Sequence, residues 1–185
     1  MNFSEANIKE LVDFFKIIGQ LKRLKRKGWI QRKINNDIES VADHSFRLSV
    51  LSMIFADIFE LDTLKLIKMS LIHDFPESIV GDITPLDMDD KEKYNLELDA
   101  MKKISSILKY NSEYLDLWLE FEEDKSEEAK LLKQLDKIEM VFQALEYELA
   151  GNEPKKLDEF WDYTEKLLNN PHLVNFFKYL KSLRK

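Results

Sequence analysis

The chain has 185 residues, a formal net charge of −7, 44% hydrophobic residues, four glycines, four prolines and no cysteine. The acidic balance argues against a general nucleic-acid binder, and the lack of cysteine excludes disulfides, thiolate metal sites and cysteine nucleophiles. The few turn-forming residues predict an all-α protein, and the length suits one domain. No apolar run approaches the ~20 residues of a membrane span, and the N-terminus is unlike a signal peptide. We therefore expect a cytoplasmic protein.

The first predicted helix runs from about residue 4 to residue 25, since its apolar side chains recur with the helical period. Its basic end, residues 22–27, suits the negative end of the helix dipole, and a phosphate contact from one of these residues is the alternative. Gly28 and Trp29 are expected to break the helix before a loop over residues 32–39. Trp29 either caps the core or forms the wall of a pocket.

The second predicted helix begins at Ser40, which resembles the start of a capping box with Asp43. His44 lies in its apolar row, three residues after Val41 and four before Leu48. A single histidine on an apolar face is usually a core residue, and a metal ligand is the alternative.

The third predicted helix covers about residues 63–75 and delivers His73 and Asp74 from an apolar run. Pro76 should kink this helix, and one further turn should end at Gly81. Burying two adjacent ionisable groups unpaired costs on the order of several kcal/mol. A divalent metal is the simplest compensation.

Further helices are predicted over about residues 91–108, 114–121 and 127–150, with one or two more in residues 155–185. The core is expected within about residues 21–150, with the C-terminal helices packed on it. Asp136 lies on an apolar helix face between Leu132 and Met140, where it either binds a metal or pairs with Lys133 or Lys137.

Two imidazoles and two carboxylates therefore stand out on three helices: His44, His73, Asp74 and Asp136. Mixed nitrogen and oxygen ligands suit Mn, Fe, Co, Ni or Zn better than Ca, and Mg is possible. We expect one divalent metal, although the carboxylates could recruit a second. Open coordination positions would allow metal-assisted hydrolysis.

The order of these residues, together with segments 39–45, 73–85 and 133–139, resembles the 5'-deoxynucleotidase branch of the HD-domain metal-dependent phosphohydrolases. The resemblance covers about residues 21–163. It implies an all-α helical HD domain, commonly a homodimer, that hydrolyses deoxyribonucleoside 5'-monophosphates to nucleoside and phosphate. It also implies that the four residues above bind the metal.

The same resemblance assigns roles to three further residues. Glu77 matches an acidic residue that assists catalysis, Asp82 matches a residue that contacts the sugar and water, and Trp29 matches an aromatic that helps reject a 2'-hydroxyl. From its position near Asp74, Glu77 could orient water or donate a proton to the leaving oxygen, and an exposed surface glutamate is the alternative.

One position departs from the family pattern. The bacterial enzymes carry an arginine immediately before the tryptophan as a phosphate contact, whereas this chain has Gly28. Arg26, Arg32 and Lys137 are the candidates to replace it.

Two other classes of function remain open at this point. One is another HD phosphohydrolase chemistry, such as a cyclic-nucleotide phosphodiesterase or an alarmone or triphosphate hydrolase. The other is a nucleotide-binding or scaffolding domain without activity. In the leading interpretation the partner is a small nucleotide, and neither a nucleic-acid polymer nor a membrane is expected.

Overall fold

The protein is described by a computed structural model over residues 4–35, 37–107 and 113–184. Within these ranges the chain is helical, which confirms the all-α prediction. The helices are α1 (Glu5–Ile18), α2 (Lys27–Gln31), α3 (Val41–Phe59), α4 (Thr63–Ile72), α5 (Glu77–Val80), α6 (Asp90–Ile107), α7 (Glu113–Glu122), α8 (Glu127–Leu149), α9 (Asp158–Leu167) and α10 (Pro171–Ser182). Residue 108, where the fourth predicted helix was expected to end, lies outside the described residues.

Three helices form the centre of the fold. α3 packs against both α4 and α8, and α4 also contacts α8. Leu48, Leu66 and Leu132, one from each helix, are fully buried between them. α7 covers α4 and α8, while α9 and α10 pack on α8. Polar side chains on the facing sides of α3, α4 and α8 are therefore brought together inside the core.

The ends of the central helices follow local capping chemistry. Ser40 and Asp43 form the predicted capping box at the start of α3, and Ser126 caps α8. α5 ends at Gly81, whose φ of 83° lies in the left-handed region that glycine tolerates.

The predicted end of α4 at residue 75 is wrong, because the helix ends at Ile72. Pro76 crowds the carbonyl of Ile72 and disfavours helical geometry at the residue before it. Tight hydrogen bonds of the i to i+3 type take over, as from the Glu77 amide to the Asp74 carbonyl at 3.1 Å. His73 and Asp74 consequently lie in a turn between two helices.

The predicted break at Gly28 and Trp29 is also wrong, since both residues lie in α2. The Trp29 ring packs against Tyr147 and Phe160, with ring centroids 5.4 and 4.5 Å away. This packing offsets the low helix propensity of the glycine. The chain instead leaves the helical conformation before Arg26, whose amide donates to the Glu39 carbonyl at 3.1 Å.

No helix in the described part of the chain combines the length and the apolarity that crossing a membrane requires. The cytoplasmic location stays a prediction.

Candidate metal centre and adjoining cavity

The four predicted ligands meet where α3, α4 and α8 pack together. His44 lies in the first turn of α3, His73 caps the end of α4 with Asp74 next to it, and Asp136 lies in α8. Both histidines are buried. The fold therefore assembles residues that are up to 92 positions apart in the sequence, from 44 to 136.

Their donor atoms lie within a few ångströms of one another. His44 Nε2 is 3.4 Å from His73 Nε2 and 3.2 Å from Asp136 Oδ1. Asp74 Oδ2 is 3.2 Å from His73 Nε2 and 3.8 Å from His44 Nε2. Donors that bind one ion at about 2.1 Å are roughly 3.0–3.5 Å apart at octahedral or tetrahedral angles. The spacing fits a single shared cation.

The second nitrogen of each imidazole is occupied elsewhere. His73 Nδ1 donates to the Ser70 carbonyl at 2.7 Å, and His44 Nδ1 is hydrogen-bonded to Glu139. The Trp118 indole donates to the His73 carbonyl at 3.1 Å and holds the turn. Both Nε2 atoms thus face the two aspartates, the orientation typical of metal-ligating histidines.

The electrostatics of the cluster also suit a cation. Asp74 Oδ2 is buried and makes no hydrogen bond among the described residues. Burial lowers the pKa of His44 and so does Arg26, but Glu139 and Asp136 outweigh both and raise that pKa to about 10. Carboxylates that draw a proton so strongly onto an imidazole would equally attract a divalent metal ion. The donor set and its charge therefore fit the predicted metal.

Glu77, at the start of α5, borders this cluster. It is only 4% exposed, and its Oε2 has no hydrogen-bond partner within the described ranges. Burial raises the pKa of Glu77 well above its usual range, and Asp74 and Asp82 raise it further. The exposed-glutamate alternative is thus excluded. Asp82 Oδ2 accepts a hydrogen bond from the Lys27 amide at 2.5 Å and ties the loop after α5 to α2.

The three candidate phosphate contacts have different positions. Arg26 Nη1 is 3.5 Å from Asp74 Oδ2, and Lys137 Nζ is 2.8 Å from Asp136 Oδ2. Arg32 instead pairs with Glu159. The structure brings Arg26 and Lys137 to the cluster and leaves Arg32 against α9.

Trp29 lies in the core, 2% exposed, and its indole donates to Glu39 Oε1 at 2.8 Å. This position agrees with the core alternative for Trp29. Its proposed contact with a sugar stays a prediction.

A cavity of about 890 Å³ opens on the cluster. His73, Asp74, Asp136 and Lys137 line one part of it. The volume is within the range of small-molecule sites in enzymes. A metal bound by these residues would therefore be accessible to a ligand of nucleotide size.

The HD domain family model matches residues 18–172. The chain belongs to the HD-domain family. It is 39% identical to the human 5'-deoxynucleotidase HDDC2 over 98% of this chain and 90% of the human protein. It is 41% identical to the Dictyostelium discoideum 5'-deoxynucleotidase HDDC2 over 94% of this chain and 98% of that protein. The crystal structure of the PH0347 protein from Pyrococcus horikoshii OT3 superposes with a TM-score of 0.80 at 32% identity, covering 94% and 99% of the two chains. The resemblance predicted from the motifs is confirmed.

Several residues of this HD domain were missed from the sequence. Lys93, Glu97 and Glu122 line the cavity from α6 and α7. Their charged side chains follow no motif and look like ordinary surface positions. Only the packing of α6 and α7 around the cavity distinguishes them.

Glu139 was also missed, although the sequence carried a signal for it. It follows Asp136 by three residues and interrupts the apolar stripe between Ile138 and Met140. A carboxylate at such a position needs a buried partner, and His44 and Arg47 are those partners.

Proposed function

We propose that this HD domain is a metal-dependent phosphohydrolase that converts deoxyribonucleoside 5'-monophosphates to deoxyribonucleoside and phosphate. The observation that carries the proposal is the convergence of His44 Nε2, His73 Nε2 and an Asp136 oxygen within 4.8 Å of one another at a nucleotide-sized cavity. Relatives at about 40% identity over nearly the whole chain are named 5'-deoxynucleotidases, which supports this substrate class.

His44, His73, Asp74 and Asp136 are the proposed ligands of one divalent cation, namely Mn, Co, Fe, Ni or Zn, with Mg possible. When bound, such a cation activates water and draws electron density from a phosphate group. The four proposed ligands together carry a formal charge of −2 when both aspartates are ionised and both histidines are neutral, which balances a divalent cation.

Glu77 is the proposed proton donor to the leaving group. As water attacks phosphorus, the bond between phosphorus and the 5'-oxygen breaks and that oxygen needs a proton. Burial and the neighbouring carboxylates raise the pKa of Glu77, so this carboxyl group holds a proton more tightly than an exposed one and can supply it. Asp82 holds the neighbouring loop against α2 and is proposed to face the sugar.

Arg26 and Lys137 are the proposed substitutes for the arginine that is missing at Gly28. The Arg26 guanidinium lies beside Asp74 and the Lys137 ammonium lies beside Asp136. A phosphate dianion bound at the cation would therefore lie close to two positively charged side chains. Arg32 is already paired with Glu159 and stacked over the Phe160 ring, at 5.7 Å from its centroid. We therefore exclude Arg32 from the proposed phosphate site.

Two copies of the chain are proposed to form a homodimer. The outer face of α3 exposes five apolar side chains at helical spacing: Phe46, Val50, Met53, Ile54 and Ile58. A continuous apolar stripe on a helix is a common self-association surface.

The test is phosphate release from dAMP, dGMP, dCMP and AMP by protein stripped of metal, with Mn, Co, Zn or Mg then restored singly. We expect release only with metal, and faster release from dAMP than from AMP. Folded protein that releases no phosphate with any of the four metals would overturn the proposal. Equal rates for dAMP and AMP would overturn the preference for deoxyribose alone.

A further inference from the structure

A buried carboxylate outside the proposed ligand set holds His44 in place. Glu139 lies on α8, three residues after Asp136, and is fully buried. Its Oε2 contacts His44 Nδ1, and its Oε1 accepts a hydrogen bond from Arg47 Nε at 2.8 Å. One carboxylate thus joins α8 to two residues that lie three apart on α3.

Arg47 is itself held by several acceptors. Its Nη1 donates to Glu146 at 2.8 Å, its Nη2 donates to Gln143 at 2.6 Å, and Nη2 lies 3.9 Å from Glu39 Oε2. These interactions fix the orientation of the Arg47 guanidinium. Because Arg47 also donates to Glu139, the Glu139 carboxylate has little freedom to rotate away from His44.

We propose that Glu139 is a positioning residue that fixes the His44 imidazole for cation binding, an inference that rests on the proposed ligation by His44. A neutral imidazole carries one proton, and an ionised carboxylate can only accept hydrogen bonds. Glu139 therefore keeps that proton on Nδ1 and leaves the lone pair of Nε2 pointing at His73 and Asp136. Hydrogen-bonding partners of this kind are worth about 10- to 100-fold in metal affinity.

A second cation is the competing explanation for this carboxylate. Donor atoms of Glu39, His44 and Glu139 also lie within 4.8 Å of one another. However, the contacts described above already occupy His44 Nδ1 and both oxygens of Glu139, and Glu39 Oε1 accepts from the Trp29 indole. Hydrogen bonds from neighbouring side chains therefore satisfy these atoms without an ion.

The test is a titration of metal-stripped full-length protein with Co²⁺, followed by calorimetry and visible absorption, for wild type, Glu139→Gln and Glu148→Gln. The glutamine side chain has one acceptor oxygen in place of two, so it can serve either Arg47 or His44 Nδ1 but not both. Its neutral oxygen also holds the proton on Nδ1 less firmly than a carboxylate does. We expect Glu139→Gln to bind one Co²⁺ about 10- to 100-fold more weakly than wild type.

Glu148→Gln is the matched control. Glu148 is also a glutamate of α8 whose side chain is only 3% exposed, and it is bonded to Arg184 and Trp161. Its loss should lower the melting temperature and leave the affinity for Co²⁺ unchanged. A Glu139→Gln protein that is folded by circular dichroism and binds Co²⁺ within twofold of wild type would overturn the inference.

Two further outcomes separate the explanations. Two Co²⁺ ions per wild-type chain and one in Glu139→Gln would overturn the positioning role in favour of ligation by Glu139. A wild type that binds no Co²⁺ would overturn the proposed metal site itself, and this inference with it.

A measurement on wild type alone covers the case in which Glu139→Gln does not fold. The chain has only three histidines, so long-range ¹H–¹⁵N spectra of the Zn²⁺-loaded protein are simple to assign. We expect a protonated Nδ1 and a metal-bound Nε2 for His44. An unprotonated or metal-bound Nδ1 would contradict the proposal.

Discussion

Single hydrogen bonds decide which nitrogen of each histidine faces the cluster. The Ser70 carbonyl accepts a hydrogen bond from Nδ1 of His73, and Glu139 is hydrogen-bonded to Nδ1 of His44. Both Nε2 atoms are therefore free to bind the proposed cation. Glu77 differs from these residues because one of its oxygens is buried with no hydrogen-bond partner among the residues that the structure describes. The two kinds of residue should therefore respond differently to substitution.

At this scale we predict a contrast between Asp136→Ala and Glu77→Gln. The first removes a proposed ligand and should lose the metal together with the activity. The second keeps the ligands and should retain the metal, while kcat falls about 100- to 10,000-fold because the proton donor is gone. Metal content by atomic absorption and phosphate release check both. Glu165→Gln, at a surface pair with Lys181, should change neither. Equal metal loss in Asp136→Ala and Glu77→Gln would instead place Glu77 among the ligands.

Helix α3 has a buried face that contributes to the candidate metal site and an exposed face that is apolar. Its buried face carries His44 and Leu48 towards α4 and α8, and its capping box at Ser40 fixes where the first turn begins. Its outer face exposes Phe46, 71% of whose surface is accessible, together with Val50. The proposed ligand and the proposed dimer surface therefore lie on different faces of one helix.

At the scale of this element we predict that Phe46→Glu converts the proposed dimer to monomer. A charge on each copy at the centre of an apolar contact would be repelled by its mate and costly to desolvate. Sedimentation velocity of wild type and variant measures the change. Leu64→Glu places the same charge on an exposed apolar residue of α4, 64% accessible, and controls for the added charge alone. Wild-type protein that stays monomeric at high concentration would contradict the dimer.

The molecule as a whole surrounds its cavity with charged groups that are largely removed from water. Lys93 Nζ lies 3.5 Å from Glu97 Oε1 on α6, and both line the cavity. Burial raises the pKa of Glu97 from its ordinary 4.5 to about 7; Lys93 opposes this rise, while Glu122 and Asp74 add to it. The stability of the fold should therefore depend on pH through this residue.

The direction of that dependence follows from where the proton binds more tightly. The folded state holds the Glu97 proton up to about pH 7, whereas the unfolded chain releases it near pH 4.5. The contribution of the protonated Glu97 side chain to the free energy of unfolding is fully present below pH 4.5. It is lost as the pH rises to about 7, and the loss amounts to up to about 3 kcal/mol. Urea unfolding of metal-stripped protein measures this effect. Between pH 4.5 and pH 7 the free energy of unfolding should fall less in Glu97→Gln than in wild type. Parallel curves for the two proteins would refute the prediction.

Much of the candidate site was predictable because its proposed ligands break a regular pattern. His44 and Asp136 each interrupt an apolar helical row, and His73 and Asp74 end one. A buried ionisable group is costly unless it is paired, so such interruptions stand out in a sequence. The capping residues were predictable for a similar reason, since their hydrogen bonds are made within four residues of the chain.

The sequence by itself determined the helical class, the four proposed ligands and the family. Only the tertiary structure decided that Arg26 and Lys137 reach the cluster while Arg32 pairs with Glu159, and that Trp29 packs in the core. It also decided the partner of Glu139. Apart from the pair of chain neighbours Lys137 and Asp136, these features depend on contacts between segments distant in the chain, which composition and periodicity do not encode. The hydrophobic period reveals which face of a helix is buried, whereas packing decides what that face touches.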